Sequence, residues 1–258
     1  MSFATAKSRL TQFRLHKFML KFKKQEVDIG EHFHKHASEY QEVVHGTNKE
    51  LYQNISRELN QSLSGTVLDI GNGNVFNYDL SRLEHVIAVD IAFKNMTSTE
   101  KITYVTADAR DLRGVKTGSC DRVVMQFLVH HIVNTSKRLT DSSVEQCFSE
   151  CYRVLKPSGK LMIVEMVVHP VVEFFENLLY RMTYRFLSWV NKPMIKFYSL
   201  RGIISRLKGA GFTGWTDGEI EMGKWIDPFE ALFPGKIKLP RFLYPAECRL
   251  ISAQKLNP

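Results

Sequence analysis

Five short apolar runs, rich in β-branched residues and separated by longer polar or helix-prone stretches, constrain this chain most tightly. They are TVLDI (66–70), HVIAVD (85–90), ITYVTAD (102–108), CDRVVMQ (120–126) and KLMIVEMV (160–167). Each is apolar almost throughout, a pattern that suits a strand covered on both faces. Runs of this kind alternating with helical stretches, the clearest being SSVEQCFSECYRVL (142–155), predict parallel strands joined by crossover helices on both faces of an open, doubly wound sheet. Ligands of such sheets sit beyond the carboxyl ends of the strands, so the residues that end each run are the site candidates.

The flanking segments extend this α/β reading. Upstream, HFHKHASEYQEVVHGTNKELYQNISREL reads as one or two helices. Downstream, SLRGIISRLKGAGF (199–212) is a helix with Gly209 and Gly211 as stop signals, followed by strands near 213–221 and at ECRLISAQK (247–255). Residues 166–198 read as two helices broken at Pro170 and Pro193, and 227–245 as a proline-rich connection. A chain of 258 residues buries one large core with embellishments. The boundaries expected are 1–60 for a basic arm and cap helices, and 61–258 for the sheet domain with insertions at 166–198 and 227–245.

Charge is concentrated at one end. Of a formal net charge of +8, the first 24 residues supply Lys7, Arg9, Arg14, Lys17, Lys21, Lys23 and Lys24 with no acid. The remainder is close to neutral, which argues against a broad nucleic-acid-binding face. Apolar residues interleave with these bases at amphipathic spacing, leaving three readings of the arm: a helix docked on the body, a membrane-surface anchor, or a mitochondrial presequence. The protein is accordingly expected in the cytoplasm, with peripheral membrane contact through the arm, or alternatively in mitochondria. The most apolar stretch, 161–198, is interrupted by Glu165, Glu173, Glu176, Arg181 and Arg185, which argues against a transmembrane span. Cys120, Cys147, Cys151 and Cys248 contain no CxxC pair and read as structural thiols of a reducing compartment, with no metal site.

The strand ends carry the chemistry. The stretch LDIGNGNVFNYD (68–79) places Gly71 and Gly73 directly after the first strand, where a tight turn lets backbone approach a ligand at the start of a following helix. A dinucleotide-binding turn uses the same device. Asp69 tells the two apart, because a carboxylate there repels a pyrophosphate and attracts a cation such as the α-amino group of an amino acid. Asp90 ends the second run, where an acid accepts hydrogen bonds from a ribose diol. Asp108 ends the third, where a carboxylate binds an exocyclic amine and neighbouring N–H groups read a ring nitrogen. Together these describe a ligand with an amino-acid head, a ribose and an adenine.

VLDIGNGN, IAVD, TADARDL, CDRVVMQFLVHHI and RVLKPSGKLMIVE, in this order over about residues 60 to 165, resemble the class I S-adenosylmethionine-dependent methyltransferases, especially the small-molecule group that includes quinone and natural-product methyltransferases. The resemblance implies a Rossmann-like sheet of about seven strands with an antiparallel last strand, and S-adenosylmethionine as cofactor. It implies Asp69, Gly71, Gly73, Asp90, Ile91, Asp108, Ala109, Gln126 and Phe127 as cofactor contacts. FHKHASEY resembles the helix that precedes the core in that group and nominates Tyr40 to lie over the cofactor. Asn74 stands where the family often has glycine; asparagine tolerates unusual backbone angles, so a modified loop is expected.

His130 and His131 follow the fourth run at the lip where the methyl group should lie, and a neutral imidazole there accepts a proton from a phenol, enol or hydroxyl. Adjacent residues point apart, so one of the two is expected to face substrate, His131 by preference. Phe174, Phe175, Tyr180, Tyr184, Trp189, Tyr198, Phe229 and Phe233 are candidate walls of an apolar chamber. The expected activity is methyl transfer to oxygen or carbon of an apolar, aromatic or lipid-like small molecule. The alternatives are a cofactor-binding accessory or non-methylating relative and, less favoured, an RNA methyltransferase recruited by the arm. A nicotinamide dehydrogenase fits worst, given Asp69 and the absent third glycine.

Overall fold

The computed structural model describes residues 48–189, 192–227 and 238–256. The basic arm, Tyr40, Phe229 and Phe233 lie outside the described residues.

The five runs form strands β1 (Thr66–Ile70), β2 (His85–Asp90), β3 (Ile102–Thr106), β4 (Cys120–Gln126) and β5 (Leu155–Val168), and the later ones β6 (Thr213–Glu219), β7 (Trp225–Ile226), β8 (Leu239–Pro240) and β9 (Ala246–Gln254). Seven of them make one sheet in the order β3-β2-β1-β4-β5-β9-β6, with β7 and β8 paired separately. β1 to β5 are mutually parallel, and β9 runs antiparallel to both β5 and β6. The expected doubly wound sheet with an antiparallel last strand is therefore what the chain forms.

Helices α1 (Lys49–Ser62), α2 (Lys137–Val154), α3 (Pro170–Trp189) and α4 (Leu200–Gly209) flank the sheet. Alternate residues of each strand feed two cores. On one face Leu68, Ile70, Val123, Met125, Leu161 and Ile163 pack with Cys147, Phe148 and Leu207 of α2 and α4. On the other, Val67, Val124, Met162 and Val164 pack with Leu51, Ile55 and Leu59 of α1. All four cysteines are buried and unpaired. No helix among the described residues is long and apolar enough to cross a membrane.

Two expectations are corrected. The crossovers 71–84, 91–101 and 107–119 contain no α-helix, only a 3-10 turn at Leu80–Arg82. The first begins with Gly71, Gly73 and Asn74 at positive φ, conformations that a helix cannot absorb. Phe76, Tyr78 and Leu83 from this crossover instead pack on the α1 side of the sheet. Second, 170–189 is one helix that starts at Pro170, because proline is suited to the first helical turn, where its missing N–H has no partner to lose.

Candidate active site

Parallel pairing sets the ends of β3, β2, β1 and β4 side by side. Asp90 is opposite Thr106, Asp69 lies between Ala88 and Val124, and Gln126 is opposite Val164. Neighbouring strands are about 4.8 Å apart, so the acids nominated from sequence share one edge of the sheet.

Asp69 is 1% exposed. Its Oδ2 accepts hydrogen bonds from Asn72 Nδ2 (2.7 Å) and the Tyr78 hydroxyl (2.7 Å). Burial pushes its pKa up to about 7, against the opposing effect of those two donors, and nearby Asp90 adds to the rise. Asn72 also donates to the Val75 carbonyl (3.0 Å), which fixes its amide orientation, since both neighbours are acceptors. Its Oδ1 is buried with no partner. A buried carboxylate and an unsatisfied carbonyl oxygen beside each other lack a positively charged donor, the complement an α-ammonium supplies. Asn72 and Tyr78 were not singled out in the sequence; neither stands at a strand end, and only the fold of the 71–79 segment brings them to Asp69.

Gly71 has φ 73° and donates its N–H to the Val89 carbonyl (2.8 Å). A Cβ there would come within 2.8 Å of Leu128 Cδ1, so the clearance it provides is filled by a side chain of the β4 tip. Gly73 has φ 57° with open space where its Cβ would be, and its N–H donates to Asp90 Oδ2 (2.9 Å). Asn74 takes up the left-handed conformation at φ 63°, as its residue type allows, and its Oδ1 accepts from Tyr104 (3.2 Å).

The second Asp90 oxygen accepts the Ala92 N–H (2.8 Å), so the carboxylate is oriented at both ends, and Ile91 beside it is exposed. Asp108 is held by its near neighbour Arg110, through the guanidinium (Nε to Oδ1 2.9 Å, Nη2 to Oδ2 2.5 Å) and the backbone N–H (2.8 Å). Burial alone would raise the Asp108 pKa, but these bonds and the Arg110 charge hold it below the usual value. Ala109 is half-buried against the core.

At the β4 tip, Gln126 Oε1 accepts from Asn77 (3.1 Å). Phe127 sits at φ 53°, a costly conformation for a bulky residue. Its N–H is anchored on the Val164 carbonyl (2.8 Å) and its ring meets Tyr52 edge-on at 6.1 Å. His130 is buried, its Nδ1 2.6 Å from Glu165 Oε1. The His131 ring lies 4.1 Å from it, centroid to centroid, and is the more accessible of the two. Glu165 is 1% exposed. A glutamate between the apolar residues LMIV (161–164) and MV (166–167) is the sequence signal for it.

The aromatic chamber is not built as expected. Phe174, Phe175 and Trp189 of α3 are exposed, whereas Tyr180 and Tyr198 are buried. The inward face of α3 is committed to polar contacts: Tyr180 bonds Thr140 (2.5 Å) and the Asn134 carbonyl (2.7 Å), and Glu173 accepts from the Ser199 N–H (3.0 Å) and hydroxyl (2.5 Å) at the start of α4. Two open clefts of about 730 and 500 Å³ lie elsewhere, the first along α1 beside Glu221 and the second beneath β6 around Arg122 and Lys160.

Residues 68–163 match a family model described as a methyltransferase domain. No curated protein matches the chain. Among solved structures, a chain from the complex of the Haloferax volcanii Trm112 methyltransferase activator with a candidate methyltransferase is similar, with 15% identity and TM-score 0.59 over 87% of this chain and 97% of that one. An S-adenosylmethionine-dependent methyltransferase of Thermotoga maritima is similar at 16% identity and TM-score 0.50, over 87% and 99%. The cyclase SpnF is similar at 12% identity and TM-score 0.50, over 81% of each chain.

The fold is that of the class I S-adenosylmethionine-dependent methyltransferases. Within it residues 68–163 match the methyltransferase domain, for which S-adenosylmethionine is the methyl donor.

Proposed function

We propose that this protein transfers the methyl group of S-adenosylmethionine to oxygen or carbon of an apolar small molecule, aromatic or lipid-like. The observation that carries the reading is the buried acceptor pair at the β1 tip, Asp69 with the unpartnered Asn72 Oδ1, flanked by Asp90 on the next strand. Asp69 and Asn72 would hold the ammonium, Asp90 the ribose, and Asp108 with Ala109 the adenine. The bound sulfonium supplies an electrophilic methyl carbon, and the residues around it align the acceptor and exclude water.

Half-buried Tyr52 meets Phe127 at the β4 tip, and Phe197 lies 5.5 Å from the His130 ring just beyond it, which supports an apolar acceptor. His131 is the proposed proton acceptor, and His130, held by Glu165, supports the adjacent tilted His131 ring. Loss of turnover in His131→Ala by about tenfold or more, with cofactor affinity retained, is expected; turnover within about twofold of wild type removes His131 from that role.

A second reading keeps the cofactor site without methyl transfer. It is favoured by the similarity to a cyclase and by the engagement of Asp90 with Gly73 and of Asp108 with Arg110. Incubation with methyl-labelled S-adenosylmethionine and apolar metabolite extracts separates the two, since binding without label transfer supports the second.

A further inference from the structure

Helix α3 is amphipathic with its polarity reversed. At 100° per residue, Glu173, Glu176 and Tyr180 fall on the face turned to the protein, where Glu173 also approaches Lys196 Nζ (3.8 Å) and burial pushes the Glu176 pKa up to about 7. The opposite face carries Val171, Phe175, Leu178, Met182, Phe186 and Trp189, all exposed, Trp189 at 81%. Their spacing of four, three, four, four and three residues makes one unbroken stripe along the whole helix. The only charged residues on that exposed face are Arg181 and Arg185, which lie along one edge of the stripe.

A contiguous apolar stripe of this length marks an interaction surface. Its complement must be apolar, extended along a helix lying flat, and negatively charged at the margin. We propose that α3 docks in the plane of an anionic lipid surface, with the six apolar side chains in the acyl boundary and Arg181 and Arg185 on the headgroups. The charge of the chain agrees with this partner: it is +8 overall, with seven of the bases in the first 24 residues, so an anionic membrane attracts it before the stripe inserts. The helix starts two residues after β5, at the same edge of the sheet as the acids of the β1 and β2 tips, so docking would set the active-site edge against the lipid. The inference goes beyond the methyltransferase reading and does not need the acceptor to be a lipid.

The test is co-sedimentation of the full chain with vesicles of phosphatidylcholine alone and of phosphatidylcholine containing phosphatidylserine, for wild type, Phe175→Asp/Leu178→Asp and Arg181→Gln/Arg185→Gln. Wild type is expected to pellet with the anionic vesicles. The aspartate pair should weaken partitioning by about tenfold or more, and the glutamine pair by roughly fivefold per arginine, on anionic vesicles only. S-adenosylmethionine affinity, measured by calorimetry, is expected to stay unchanged in both variants, which shows that they fold and separates this inference from the proposed function. Three results would overturn it: no wild-type binding to anionic vesicles; binding that neither variant weakens, which assigns it to the basic arm; or a dimer that the aspartate pair converts to monomer without vesicle binding by wild type, which makes a second copy the occupant.

Discussion

Asn72 donates to Asp69 across 2.7 Å while its own Oδ1, equally buried, meets no donor. A buried acceptor without a partner costs about 1–3 kcal/mol, and the neighbouring carboxylate is itself costly to ionise. The ligand-free loop is thus destabilised at the point where a cationic head would satisfy both groups.

The first prediction concerns pH. The Asp69 pKa is about 7 in the folded protein against an ordinary value of 3.8, so the folded state holds the proton more tightly than the unfolded one. The contribution of this one group to the stability of the ligand-free protein is therefore fully present below about pH 4, is lost as pH rises from about 4 to about 7, and amounts to up to about 4 kcal/mol; the carboxylates held below their usual values, Asp108 among them, act in the opposite sense at acid pH. Asp69→Asn should flatten that slope and raise stability at pH 8, read by chemical denaturation across pH. A slope unchanged by the substitution would place the titration elsewhere, for example at Glu176.

Cofactor binding should show the same group with the opposite sense. An ammonium requires the ionised carboxylate, so affinity is expected to rise with pH toward 7, with proton release visible in calorimetry as a dependence on buffer ionisation enthalpy. Asp69→Asn and Asn72→Ala should each weaken affinity by roughly tenfold, about 1.4 kcal/mol.

Gly71 is constrained by Leu128. Gly71→Ala combines a left-handed conformation, costing about 1–2 kcal/mol, with overlap on Leu128, about 1–3 kcal/mol more. Placed in a Leu128→Ala background, the same change should cost only the conformational part. Equal costs in the two backgrounds, measured by denaturation, would show that the contact is not what restricts the position.

Asn74 tests the altered loop. Asn74→Gly should leave stability within about 0.5 kcal/mol, because both residues accept a φ of 63°, whereas Asn74→Val should lose at least about 1–2 kcal/mol. Cofactor affinity of Asn74→Gly close to wild type would show that the asparagine is a tolerated variation of the turn.

Glu165→Gln removes the charge that holds His130. A loss of about 1.5–3 kcal/mol in stability is expected, with cofactor affinity retained, since neither residue is among the proposed cofactor contacts. Thermal unfolding beside calorimetry distinguishes this from a direct role in binding.

Much of the fold was legible because strand burial leaves a local imprint: β1, β2 and β4 coincide with the apolar runs read from sequence. The crossovers before β4 are irregular chain where the apolar pattern predicts helices, and the aromatic residues Phe174, Phe175 and Trp189 of α3 face outward and do not wall a chamber. Apolar spacing reports that a helix has one greasy face but not which way it turns. That was decided by Glu173, whose carboxylate fits the start of α4 beside Gly202, where a Cβ would come within 2.8 Å of it.

The site divides in the same way. Strand ends are one-dimensional features, so the carboxylates at positions 69 and 90, the loop glycines and the left-handed asparagine at 74 could be nominated from the linear order of residues alone. The tertiary structure decided what those groups face: the amide and phenol that bury the first acid, the leucine that fills the glycine's clearance, the arginine that claims the acid at 108, and the glutamate that fixes one histidine of the pair. Leu128 and Glu165 reach their partners from other strands, while Asn72, Tyr78 and Arg110 do so through the irregular turns of the acid's own loop, and contacts of either kind leave no periodic trace in a sequence.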